Sequence, residues 1–116
     1  PWKVELGDHA WVGEGAWLDS LAPIRIGPHA VVSQGAYLCT GNHDFRRPDF
    51  ALRVEPIELG RASWVTAGSV VGPGVRVGEG AILGLGSVTT SDLEPFGIYR
   101  GNPAIRVGTR SPDTQS

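Results

Sequence analysis

The chain has 116 residues, a formal net charge of −2, 41% hydrophobic residues, 17 glycines and nine prolines. That suits one turn-dense all-β domain, argues against disorder and, lacking a basic block, excludes an electrostatic grip on nucleic acid. Apolar runs are only a few residues long, so neither a membrane span nor a signal-peptide core is visible, and the single Cys39 excludes an internal disulfide and fits a reducing cytosol. The chain holds no Met and begins at Pro1 almost in mid-pattern, which points to a fragment whose earlier repeats lie outside it.

From Leu6 the sequence falls into sixes: LGDHAW, VGEGAW and LDSLAP start at Leu6, Val12 and Leu18. The pattern resumes as IGPHAV, VSQGAY and LCTGNH from Ile26, Val32 and Leu38. Equivalent hexads lie 20 residues apart, so the first coil carries two residues beyond three hexads, assigned to Pro23–Arg25. Asp44–Glu58, DFRRPDFALRVEPIE, has no register and reads as a 15-residue insertion at one corner, a length at which loops in compact domains are often functional. The register returns over Leu59–Leu93. First positions there are Leu59, Val65, Val71, Val77, Leu83 and Thr89; second positions are small; fifth positions run Ser63, Ser69, Val75, Ala81, Ser87 and Leu93. Pro95–Val107 leaves the repeat, and Gly108–Ser116 is a polar tail expected to fray.

A period of six fits neither a helix nor plain strand alternation. It fits short strands joined by tight corners, with an aliphatic residue inward and glycine where the backbone turns. Three hexads per turn predict a triangular prism of four coils, Leu6–Arg25, Ile26–His43, Leu59–Arg76 and Val77–Glu94, stacked through parallel pairing. Residues 1–107 then form one domain. Sixth positions should point outward, and they include Trp11, Trp17, Val31, Tyr37, Trp64, Val70, Ile82 and Val88. Such an apolar column reads as the interface of a closed homo-oligomer.

His9 and His29 share the fourth hexad place and should stack on neighbouring corners facing solvent. His43 lies where the pattern degrades, in Gly41-Asn42-His43-Asp44 before the insertion, and rule-breaking of this kind marks functional sites. It is suited to general-base work, or it simply ends a coil. Asp19 replaces a small second-position residue one coil below Cys39, on the face of His43. It could bind an acceptor, orient the imidazole, or stand solvated at its corner. Arg46, Arg47 and Arg53 could meet phosphates or serve only a solvated loop, and the repeat serines carry no nucleophilic role.

These hexads, the loop after Gly41-Asn42-His43-Asp44 and the closing Gly101-Asn102-Pro103-Ala104 resemble the hexapeptide-repeat acyltransferases. LDSLAPIRIG, YLCTGNHDF and IYRGNPAIRV are most similar to acetyltransferases of exopolysaccharide, colanic-acid-type, biosynthesis; the resemblance covers about Leu6–Val107. It implies a left-handed parallel β-helix and a cytoplasmic homotrimer with sites between subunits. Acetyl-CoA would be the donor, with no metal, and the acceptor a sugar or saccharide hydroxyl. His43 matches the family's catalytic base, acting by direct transfer without an acyl-enzyme. CoA-contacting positions fall on Ala67, Gly68, Leu85, Gly86, Thr90 and Ser91, with Arg100 or Arg106 toward its phosphates. Gly13 and Leu21 stand where galactoside-type relatives carry acceptor-binding asparagine and aspartate. The acceptor is therefore expected to differ, with Asp19 as the substitute and Asn42 and Asp44 beside it. A lysine of some relatives is Ser91 here.

Two rivals remain. A zinc carbonic-anhydrase-like prism needs three convergent histidines, but position 48 is Pro48, and His9 and His29 sit at the wrong place. A silent or truncated scaffold would bind no CoA.

Overall fold

The computed structural model describes residues 3–43 and 52–111, with side chains for 3–41 and 54–111. The chain winds as a parallel β-helix. Sheet A stacks β1 (Val4–Leu6), β4 (Ile24–Ile26), β9 (Ile57–Leu59) and β12 (Arg76–Val77). Sheet B stacks β2 (Trp11–Val12), β5 (Val31–Val32), β10 (Trp64–Val65), β13 (Ile82–Leu83) and β15 (Gly97–Gly101), with β16 (Ala104–Thr109) antiparallel at its edge. Sheet C stacks β3 (Trp17–Asp19), β6 (Tyr37–Cys39), β11 (Val70–Val71) and β14 (Val88–Thr89). Each coil gives one strand to each sheet, so no coil closes a core alone and stacking supplies it.

The first-position residues fill that core: Val32, Leu38, Val65, Val71 and Leu83 are fully buried, and Ile26, Leu59 and Val77 nearly so. Removing each such side chain from water stabilises by about 1.5–3 kcal/mol, set against about 1–2 kcal/mol of backbone entropy per ordered residue. At the open end the same position is wet. Leu6 is 58% exposed, and Val12 and Leu18 are half-buried.

Two corner positions obey different physics. The second place demands close approach: a Cβ on Gly60 would lie 2.7 Å from the Glu79 amide nitrogen, one coil away. The fourth place demands a left-handed turn, and Gly68 and Gly86 meet it with φ near +65° (68° and 63°). His9, His29, Ala62 and Phe96 adopt the same conformation with side chains.

The structure moves four boundaries. The two extra residues widen the corner Ser20–Pro23, whereas Ile24–Ile26 is regular strand. The insertion opens earlier and closes earlier than Asp44–Glu58. Gly41–His43 (β7) pairs antiparallel with Leu52–Val54 (β8), and Ile57–Leu59 is already back in sheet A. His43 therefore sits on an arm leaving the prism and not within a coil. The repeat also persists past Glu94, because the corner after Thr89 is short by two residues. Leu93 pairs with Val77 and Ile98–Tyr99 with Ile82–Leu83, adding a fifth rung to sheet B. Finally, Gly108 and Thr109 belong to β16. Arg110 is held by Phe96 O (2.6 Å) and by its side chain on Ala62 O (2.8 Å), so the tail is ordered that far.

Candidate active site

The arm that carries His43 leaves the corner between sheets C and A. Thr40, fully buried at its root, donates its hydroxyl to Asp19 O (2.6 Å) and accepts from Ala22 N (3.1 Å). The Thr40 carbonyl accepts the Glu55 amide at 2.9 Å, which ties both ends of the insertion to one point. The backbone of His43 pairs with Leu52; its side chain, those of Asn42 and Arg53, and all of Asp44, Arg46 and Arg47 lie outside the described residues.

Asp19 pairs with Cys39 in register, as the offset of 20 predicts. Its carboxylate accepts from the Tyr37 hydroxyl at 3.4 Å, and the Cys39 thiol donates to Gly41 O at 2.9 Å. The hydrogen bond with Cys39, then burial, then the electrostatic fields of Cys39 and Asp19 push the Tyr37 phenol up to about 12. Trp17 packs on Tyr37, ring centroids 5.2 Å apart. Sequence reasoning placed Tyr37 and Trp17 only in an outward column. Their spacing of one coil from each other, and that of Tyr37 from Asp19, was the available signal.

The CoA-type positions divide between two corners. Ala67 and Gly68 form the turn between sheets B and C, and Leu85 and Gly86 stack directly over them, with the Gly86 amide on Ala67 O at 3.0 Å. Leu85 is 76% exposed, and a Cβ on Gly68 or Gly86 would meet nothing within 4 Å, so this edge presents accessible backbone. Arg100 adjoins it: its Cβ lies 3.4 Å from where a Gly84 Cβ would stand, and Gly101 N donates to Ser87 Oγ at 2.9 Å. Thr90 and Ser91 lie at the other edge of sheet C, above Gly72 and on the corner line of Asp19 and the arm. Arg106 pairs with Tyr99 on the outermost strand, and among the described residues its side chain bonds nearby groups, Gly108 O and Thr109 Oγ1. One chain thus unites Ala67, Gly68, Leu85, Gly86 and Arg100, and separately Asp19, the His43 arm, Thr90 and Ser91.

Among the described residues no cluster of His, Cys, Asp and Glu could hold a metal ion, and no helix is long and apolar enough to cross a membrane.

Three parallel sheets wound from six-residue repeats, with one arm thrown out at a corner, define a hexapeptide-repeat β-helix. No family model matches the chain. It is 42% identical over 110 residues to WcaF of Escherichia coli, named a candidate colanic acid biosynthesis acetyltransferase, matching 95% of this chain and 60% of that protein. A hexapeptide-repeat acetyltransferase of Vibrio cholerae, solved with acetyl coenzyme A, superposes with a TM-score of 0.88 at 24% identity, over 94% of this chain and 61% of that one. A maltose O-acetyltransferase of Clostridium difficile gives 0.87 at 22%, over 95% and 60%. Its relatives are hexapeptide-repeat acetyltransferases, and the chain has their left-handed parallel β-helix, spanning about three-fifths of these relatives' length.

Proposed function

We propose that this chain, read as one β-helix domain over residues 1–107, is the working part of a cytoplasmic, acetyl-CoA-dependent O-acetyltransferase. Its acceptor is a hydroxyl of a sugar or polysaccharide precursor. The observation that carries the reading is the 42% identity to WcaF across 95% of the chain, joined to an arm bearing His43 rooted against Asp19.

In this reading His43 removes the acceptor proton as the hydroxyl oxygen attacks the thioester carbonyl. The tetrahedral adduct collapses, the C–S bond breaks, and the imidazolium returns the proton to the leaving CoA sulfur. General-base help of this kind is worth about 10²–10⁴ in rate. Asp19, Asn42 and Asp44 hold the acceptor. The bare backbone at Ala67, Gly68, Leu85 and Gly86 suits a narrow pantetheine chain, with Thr90 and Ser91 at its other contact and Arg100 and Arg106 toward the phosphates.

The two corner lines are the opposite edges of sheet C and face different neighbours. Two copies placed side by side bring the edge of one against the arm of the next, which supports a homotrimer with shared sites. The exposed Trp11 and Trp17 supply apolar surface for that contact.

Calorimetric titration with acetyl-CoA tests the reading, run on the native chain and on His43→Ala. Saturable binding kept in the variant, with acetyl transfer to a saccharide panel reduced about 10²-fold or more, is the expected result. A folded oligomer that binds no acetyl-CoA would leave the scaffold reading standing instead.

A further inference from the structure

A second cleft lies away from these corners, where sheet A turns into sheet B. It has a volume of about 350 Å³, and its lining includes His9, His29, Arg61, Ala62, Trp64 and Arg110. It arises from a step in the corner column. The fourth hexad place holds His9 and His29 in successive coils, their rings stacked at 5.0 Å and 22°, both with φ near +60°. The next two coils place Ala62 and Gly80 there, and the column drops by the size of an imidazole.

The returning C-terminal chain walls the far side. Arg110 donates Nη1 to Ala62 O (2.8 Å) and Gly80 O (3.4 Å), which fixes the guanidinium, while its other donors have no partner among the described residues. Arg61 stands at the rim, exposed; its carbonyl accepts the Gly80 amide at 2.8 Å, and its side chain makes no ion pair or hydrogen bond among the described residues. Trp64 closes the sheet B side, its indole N–H spent on Ser33 Oγ at 2.8 Å, so its ring is fixed as an apolar wall. Four groups able to carry positive charge therefore converge from four separate segments of a chain whose net charge is −2, and no carboxylate among the described residues lines the cleft.

We propose that this cleft binds a phosphate monoester, its oxyanion on Arg61, Arg110 and the two imidazoles and its organic group against Trp64. Guanidinium forks match a phosphate's oxygens in pairs, and an ordered aromatic wall favours an ester over the bare ion. The site is distinct from the donor edge, which lies at the other side of sheet B, and it does not depend on the transfer reaction.

The test is titration of the full chain with inorganic phosphate and with phenyl phosphate, following the Trp64 indole N–H signal by NMR. Saturable binding, tighter for phenyl phosphate, is expected. Arg61→Gln, which removes no contact among the described residues, should weaken it by about tenfold or more, and His29→Asn, which keeps a residue tolerant of the left-handed turn, should weaken it less. Arg100→Gln should leave it unchanged. No saturable shift at Trp64, or a loss in Arg100→Gln with none in Arg61→Gln, would overturn the proposal and assign phosphate affinity to the donor edge.

Discussion

The sixth hexad place points outward on all three faces, yet sheet A and sheets B and C use it in opposite ways. On sheet A it holds Glu5, Arg25, Glu58 and Arg76, an alternating ladder with Arg25 3.2 Å from Glu5 and 3.7 Å from Glu58, and Arg76 3.8 Å from Glu58. On sheet B the same place runs Trp11, Val31, Trp64, Ile82 and Ile98, and on sheet C Trp17, Tyr37, Val70 and Val88. The interior positions are equally apolar behind every face, so folding does not distinguish them. The difference is one of surroundings: a face of paired charges is at ease in water, whereas two ranks of tryptophan and aliphatic groups are not.

The sharpest way to break this contrast is through assembly. Trp11→Asp combined with Trp17→Asp should reduce the proposed homotrimer to single folded chains in sedimentation, while Arg25→Gln combined with Arg76→Gln should leave its mass unchanged. Equal behaviour of the two pairs would erase the distinction. Behind the faces the effect should instead be alike. Leu83→Ala under sheet B should cost about 2–5 kcal/mol by denaturant midpoint, and Val77→Ala under sheet A should also destabilise, by somewhat less for its smaller side chain.

A smaller effect is expected at the arm's root, where Thr40→Val removes two hydrogen bonds and leaves the Ala22 amide unpaired, costing about 1–3 kcal/mol. The Tyr37 phenol, pushed up to about 12 from 10.0, supplies the pH test on sheet C. Because its folded value is raised, its contribution to stability is whole below pH 10 and disappears as pH rises toward about 12. Asp19→Asn should narrow that window in an absorbance titration; an unmoved titration would count against the Asp19 contact. The ladder itself should matter least: Arg25→Gln should change stability by about 0–1 kcal/mol, and less in high salt.

Much of this was legible because the repeat is local. Which residues face inward, the stacking of His9 on His29, and the pairing of Asp19 with Cys39 all follow from counting six and twenty along the chain. The illegible parts are those where counting slips. The corner at Ser20–Pro23 and the one after Thr89 differ in length by residues that carry no mark of their own, so counting puts Leu93 at a fifth position and reads the rung at Ile98–Tyr99 as outside the repeat. The arm's pairing of Gly41–His43 with Leu52–Val54 is antiparallel and outside any register, and no period announces it.

The sequence by itself determined the prism and the inward set, because one hydrophobic residue in six at constant phase leaves few other ways to bury a core. Only the tertiary structure decided which outer residues share a face. It set the arm's origin beside Asp19, split the positions expected to contact the donor between two edges, and brought Arg110 back to the step beneath His29. Those are contacts between segments tens of residues apart, fixed by corner lengths and by the return of the last strand, and a hexad pattern carries no record of either.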